Sequence, residues 1–427
     1  RPLAARYPNV DAAMAEIARM SAVLTLPKGT VHVISDIHGE DQKLRHVINN
    51  ASGSLRPLVE RVFGGRMDKR QLQEFLTLIF YPYEVVQRLE QEKWTEAALR
   101  EYALTTLRQI FELVRILVTR YSLKRATEVF PAEYRELLVE MLHEPTTERG
   151  SEFAAAIVEE LVRRGRIWGL IHVTVRLVRN LAIYELIIGG DCWDRGPRGD
   201  RVVDYLRQQP NVSFIWGNHD VAWLGASLGH EALICNVLRM SLRYRRLGQI
   251  DEGYSIPWTP LEHLANACYA DDPATHFMPK ESGTRPNPLV ARMQKAAAIM
   301  QFKLDGQVIA RHPEWEMEHR RLLHRIDRAK GTITIDGVTY PLRDTHLPTI
   351  DPADPYALSE EEATCLRRLK GSFLHSQKLG EHVRWLVSRG AMFLQRDDHL
   401  IFHGCVPVDE QGEFLPMTIN GETCRGR

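Results

Sequence analysis

The chain has 427 residues, 44% of them hydrophobic and 26% charged, enough for two or three domain-sized units. Its 55 basic and 55 acidic residues cancel, so no global field draws it to nucleic acid or an anionic membrane, and anion binding must be local. The six cysteines form no Cys-x-x-Cys pair, no apolar run reaches membrane-spanning length, and the amino end carries no signal-peptide pattern; a cytoplasmic protein with reduced thiols is expected.

Residues 1–29 read as an amphipathic helix through Ala12, Met14, Ile17, Met20 and Leu24, closed by a turn at Pro27. A first strand, 30–35, ends in Asp36-Ile37-His38-Gly39, with a helix expected over 41–50. Residues 55–180 are rich in helix formers, and Leu107, Ile110, Phe111, Val114 and Leu117 share one face. Breaks at Pro82, Pro131, Pro145 and Gly150 predict a helical insertion of four or five helices. The run Leu186-Ile187-Ile188 then reads as a buried strand, ended by Gly189-Gly190. Directly after it stand Asp191, Asp194 and Arg195, in Asp-Cys-Trp-Asp-Arg-Gly-Pro. A helix over 200–208 leads through Pro210 to a third strand, 212–216, which ends in Gly217-Asn218-His219-Asp220.

Residues 221–330 read as mainly helical with an irregular stretch at 251–288. A hairpin is predicted at 331–342 around Asp336-Gly337, a favoured two-residue turn. An amphipathic helix near 376–389 precedes a fourth strand, 400–402, which ends in His403-Gly404. The chain starts at Arg1 rather than methionine and stops in loop-like sequence, so a fragment cut mainly at its carboxyl end is expected.

Each motif follows an apolar strand, and ligands of open α/β sheets collect at that carboxyl edge. Asp36, His38, Asp191, Asn218 and His403 are thus expected at one edge of one sheet. Carboxylate, imidazole and amide donors suit two divalent first-row ions better than calcium or a thiolate site, with Asp191 as the bridging carboxylate. Two such ions about 3.5–4 Å apart clamp a phosphate oxygen and activate water, so phosphate-ester hydrolysis is the chemistry expected. Arg195 would grip the phosphoryl oxygens, and His219, oriented by Asp194, would protonate the leaving alkoxide. Other histidines read as structural: His32 in the core, His172, His263, His319 and His324 on helical faces, His230 within a helix. Arg243, Arg245 and Arg246 read as a solvated helix face, with a second phosphate grip as the alternative.

These motifs together resemble the calcineurin-like metallophosphoesterase superfamily. The long insertions, Asp191–Pro197, the Trp216-Gly-Asn-His-Asp run, residues 301–307 (Gln-Phe-Lys-Leu-Asp-Gly-Gln) and His403-Gly-Cys-Val-Pro resemble the class III, Firmicutes-type fructose-1,6-bisphosphatases of bacteria. Residues 373–379 and 382–384 extend the likeness, which runs from about residue 5 to the carboxyl end.

The resemblance implies an α/β fold, a metallophosphoesterase-type sheet sandwich with large helical insertions, C-terminally truncated. Its core would take 1–54, 181–220 and an incomplete 391–427, with insertions at 55–180 and 221–390. It implies Asp36, His38 and Asp191 on one ion, and Asp191, Asn218 and His403 on the other. Mn²⁺ would be the metal, and removal of the 1-phosphate of fructose 1,6-bisphosphate, a gluconeogenic step, the reaction. The superfamily places a further histidine on the second ion; residues 404–427 contain none, so that ion is expected to bind weakly and this chain to be poorly active. The partner would be a small sugar bisphosphate, with no nucleic acid or membrane; a homo-oligomer stays open. Two alternatives stand beside this: a metallophosphoesterase acting on phosphoproteins or dinucleoside polyphosphates, and a non-catalytic relative. The second is disfavoured because the seven residues of the first three motifs are all present.

Overall fold

The computed structural model describes residues 2–27, 29–143, 148–280, 287–419 and 421–426. The chain is a mixed α/β protein that divides into two units, one made of 1–33, 42–186 and 209–211, the other of 34–41, 187–208 and 212–427.

In the first unit, the predicted amino-terminal helix is two, Pro2–Arg6 and Val10–Val23, the second capped by Asn9, whose side chain accepts the Ala12 N–H. Its apolar stripe buries no residue; Met14, Ile17 and Met20 all stay more than half exposed. Strand β1 (Val31–Ile34) follows, with His32 buried as predicted; burial lowers its pKa.

The helical segment holds eight helices among the described residues, more than the four or five expected: Leu55–Phe63, Lys69–Phe80, Pro82–Glu90, Glu96–Val118, Leu123–Glu128, Arg135–His143, Glu148–Arg163 and Ile167–Ala182. Several breaks are made by caps rather than by proline or glycine. Asp68, Thr95 and Ser122 each accept a backbone N–H of the first turn that follows, which satisfies donors a helix start leaves open. Pro82 opens a helix, where its missing N–H is harmless. Gly150 lies inside a helix, and Pro145 lies outside the described residues. Leu107, Ile110, Phe111, Val114 and Leu117 are all buried, as their spacing predicts, in one core with Phe63, Leu76, Ile79, Ile171 and Val175.

The chain then runs through β2 (Glu185–Ile188), buried at every residue, and β3 (Val212–Ile215). In the second unit, helices Asn218–Ser227, Glu231–Arg243, Leu247–Tyr254, Thr259–Cys268 and Pro288–Arg311 follow. The stretch read as irregular from 251 is therefore helical over 251–254 and 259–268, with a break at 255–258. His230 caps the junction between two helices and is exposed, rather than lying within one. His319 and His324 sit in single 3₁₀ turns.

Strands β4 (Ile326–Asp327), β5 (Thr332–Ile335) and β6 (Val338–Pro341) form an antiparallel sheet. The β5–β6 turn is the predicted Asp336-Gly337, both at positive φ. Helices Glu360–His375 and Gln377–Arg389 lead into β7 (Gly390–Ala391), which pairs parallel with β3 and completes a four-stranded sheet of order β1-β2-β3-β7. The strand before His403 is not part of that sheet. It is β9 (His399–Phe402), paired with β8 (Phe393–Arg396) as a separate hairpin, as are β10 (Pro416–Ile419) and β11 (Glu422–Arg425). The hydrogen bonds of β9 go to β8 through a tight antiparallel turn, and the two-residue β7 takes the place beside β3.

All six cysteines are free. No helix among the described residues is long and apolar enough to cross a membrane.

Candidate metal centre

The centre is built where three loops of the second unit leave β1, β2 and β3. The first two loops are laced together by backbone: Asp36 N–H donates to Gly190 O at 3.2 Å, His38 N–H to Asp191 O at 2.8 Å, and Gly39 N–H to Cys192 O at 2.8 Å. This lacing sets the approach so close that a Cβ on Gly196 would lie 1.8 Å from the His38 carbonyl oxygen. Four site residues take positive φ: Asp36 (54°), His38 (51°), Asp191 (59°) and Asp194 (142°). Non-glycine residues held there cost on the order of 1–3 kcal/mol each, and such strain clusters at functional sites.

Asp191 is nearly fully buried, and its two oxygens have separate duties. Oδ1 accepts the His219 N–H at 3.1 Å. Oδ2 lies 3.5 Å from His38 Nε2 and 3.3 Å from His403 Nε2. The His403 ring is aimed from behind, since its Nδ1–H donates to Gly189 O at 2.7 Å, leaving Nε2 turned to the carboxylate in the manner of metal-ligating histidines. His38 Nε2 also faces Asp36 Oδ1 at 3.6 Å and Asp194 Oδ2 at 3.8 Å. Asp36 is exposed and accepts the Ser35 hydroxyl at 2.5 Å through Oδ2. Ligand atoms of Asp36, Asp191 and His403 all lie within 4.8 Å of one another.

Asp194 is buried, and its Oδ1 has no hydrogen-bond partner. Its Oδ2 is 3.6 Å from His219 Nε2, so the predicted acid–histidine pair is brought together. The exposed Arg195 side chain stands 3.3 Å from His38 Nδ1 through Nη2. Asn218 opens the helix Asn218–Ser227. It is exposed, and the next residue, His219, is the one whose backbone N–H reaches Asp191 Oδ1 of the second motif.

The carboxylates of Asp36 and Asp191 and the imidazoles of His38 and His403 converge at Asp191 Oδ2, a donor set that fits a divalent cation. Hard oxygen with borderline nitrogen donors points to a first-row ion.

Two residues at the centre were not assigned from sequence. Asp220, the last residue of its motif, is completely buried. Burial pushes its carboxyl up to about 7, against backbone N–H donors from Gly217, Cys192 and Asp191 that favour the charged form. Its place in the motif was the available signal. Arg246, read as part of a solvated helix face, lies past the helix end and donates through Nε to Arg195 O at 2.7 Å. Nothing in local sequence could reveal that contact, which depends on tertiary approach.

Comparison with known proteins gives a consistent answer. A family model described as Firmicute fructose-1,6-bisphosphatase matches residues 1–427. The chain is 39% identical over 430 residues to a protein of Clostridium novyi (strain NT) named fructose-1,6-bisphosphatase class 3. Proteins of the same name from Bacteroides thetaiotaomicron and Listeria innocua are 38% and 36% identical over 432 and 431 residues. Each match covers 100% of this chain but 64%, 65% and 66% of the respective relative, so the chain spans about two thirds of their length. No solved structure matches. The family match runs through the helical segments as well as the three motif loops, a far stricter agreement than the motifs alone could give, and the chain belongs to the Firmicute fructose-1,6-bisphosphatase family.

Proposed function

We propose that this centre removes the 1-phosphate of D-fructose 1,6-bisphosphate, giving fructose 6-phosphate and phosphate, as a cytoplasmic gluconeogenic step. Asp36, His38 and Asp191 would hold one Mn²⁺, and Asp191, Asn218 and His403 the other. The observation that supports this best is Asp191 Oδ2, a single buried carboxylate oxygen approached by imidazole nitrogens from two different loops at 3.5 and 3.3 Å. The set that includes neutral Asn218 in place of a second carboxylate carries less negative charge, so its ion would be the weaker bound. When bound, the ions supply Lewis-acid activation of water and neutralise phosphoryl charge.

The chain's own residues do the rest. Arg195 offers a planar, exposed guanidinium whose fork matches two phosphoryl oxygens. His219 holds the proton that the departing sugar alkoxide needs, and Asp194 keeps its ring turned inward from 3.6 Å. The names of the relatives support the sugar bisphosphate as substrate. On this reading the β1-β2-β3-β7 sheet is part of a metallophosphoesterase sandwich. Residues 55–180 and 221–390 would be insertions into it.

The test is phosphate release from fructose 1,6-bisphosphate with Mn²⁺, on the natural protein that carries this chain, beside Asp191→Asn. We expect release to fall by at least about 100-fold in the variant, in line with loss of a shared ligand. Turnover of an aryl phosphate but not of the sugar would retain the metal chemistry and remove the substrate assignment.

A further inference from the structure

Asp220 is the most heavily bonded carboxylate near the centre, and all of its partners are backbone. Oδ2 accepts the Asp191 N–H at 2.6 Å and the Gly217 N–H at 3.0 Å, while Oδ1 accepts the Cys192 N–H at 2.8 Å. The return contact runs the other way, from the His219 N–H to Asp191 Oδ1 at 3.1 Å. The second and third motif loops therefore clasp each other reciprocally: each gives backbone donors to the other's aspartate.

The clasp acts on one conformation. Asp191 stands at φ 59°, and a left-handed residue turns successive N–H groups toward one side, which makes an anion-binding nest. The N–H groups of Asp191 and Cys192 form such a pair, and the Asp220 carboxylate fills it. The approach depends on Gly217, where a Cβ would meet Asp191 Oδ1 at 2.1 Å and Asp191 N at 2.5 Å. With its backbone fixed by Asp220 and its Oδ1 held by the His219 N–H, the Asp191 side chain has Oδ2 between His38 and His403.

We infer that Asp220 is the positioning residue of the centre: its buried carboxylate locks Asp191 in the left-handed conformation that aims the shared oxygen at both imidazoles. It touches no substrate or ion itself. The inference rests on Asp191 being a metal ligand, so the experiment is arranged to separate the two.

Mn²⁺ is titrated calorimetrically into the folded natural protein, its Asp191→Asn variant and its Asp220→Asn variant, with circular dichroism and thermal melting run in parallel. Asparagine matches aspartate in shape but presents an N–H₂ where one backbone donor needs an acceptor. Expected is a 10- to 100-fold loss of Mn²⁺ affinity in Asp220→Asn with the ligand set intact, the size of loss usual for partners that orient a ligand. Affinity within about twofold of wild type in a folded Asp220→Asn, whatever its melting point, would overturn the inference, because a merely structural carboxylate lowers stability without moving metal affinity. If Asp220→Asn does not fold, Asp220→Glu, which keeps both oxygens but shifts them by one methylene, is read by the same criterion. Wild-type affinity in Asp191→Asn would instead remove the metal role of Asp191, and this inference with it.

Discussion

Gly196 shows how little room the centre leaves at the scale of a single residue. The carbonyl of His38 occupies the space where any larger residue would place its Cβ, and the Arg198 N–H bonds to Gly39 O at 3.0 Å just beyond. Gly196→Ala must therefore push the first loop away from the second. We expect a loss of about 1–3 kcal/mol, the usual range for inserting a methyl into a packed site, read by urea denaturation. If the centre holds Mn²⁺ as proposed, its binding should weaken as well, because the shift acts on His38 and Asp191 together. A variant with wild-type stability would mean that the loops are less tightly laced than their backbone bonds imply.

At the scale of elements, the long helix Pro288–Arg311 is tied down by charges rather than by its apolar face alone. Lys295 Nζ reaches Asp272 at 2.5 Å and Asp344 at 2.7 Å, and Lys303 Nζ reaches Glu362 at 2.7 Å and Thr349 O at 2.6 Å. Both lysines are fully buried, as is Glu362. Breaking such a pair from one side leaves an uncompensated charge, whereas replacing both partners by apolar groups is often near neutral. Lys303→Met should destabilise the protein by about 3–5 kcal/mol, and Lys303→Met with Glu362→Leu should recover most of that loss, measured by denaturant midpoints. A double variant no better than the single would show that the Thr349 contact, not the ion pair, matters.

A buried histidine gives the second unit a pH signature. His382 lies between Asp204, 2.9 Å from Nε2, and the Tyr254 hydroxyl, 3.1 Å from Nδ1; Tyr254 in turn accepts the Trp193 indole N–H at 2.9 Å. Burial lowers the His382 pKa, with the Asp204 bond opposing. The unfolded chain therefore binds a proton that the folded one resists, so stability falls as pH drops through about 6.5. Melting temperatures at pH 7.5 and 5.5 should differ more in wild type than in His382→Gln; equal differences would exclude His382 as the source.

For the molecule as a whole, what could be read from sequence follows from how local each signal is. The strand-then-loop grammar placed Asp36, His38, Asp191, Asp194 and His219 correctly beside one another, because apolar run, glycine turn and polar residues are all within ten positions. The turn at Asp336-Gly337 was legible for the same reason. Helix number in 55–180 was not, since caps such as Thr95 and Ser122 resemble ordinary polar residues until their side chains find a backbone N–H. His403 lies beside Asp191 as expected but comes from a different element: a hairpin arm and a sheet strand have the same alternation, and only pairing tells them apart. Arg246 acts through a contact 51 positions away, beyond any local pattern; Asp220 stands within a motif, and only its partner 29 positions away lay out of local reach.

The interval between the first two motifs has a consequence in the currency of chain entropy. From Gly39 to Gly189 the chain makes an excursion of 150 positions and returns to the neighbouring strand of the same sheet. Were that excursion floppy, closing it rather than a crossover of about a dozen residues would add only about 2 kcal/mol, since the penalty grows by about 0.6 kcal/mol for each doubling. Because the excursion has its own apolar core, its ends are held by folded structure, and even this logarithmic penalty is largely removed. The first two motif loops are thus nearly indifferent to how much protein lies between them, provided that protein folds. Such a segment is free to lengthen, shorten or acquire new surfaces while the residues around Asp191 stay fixed.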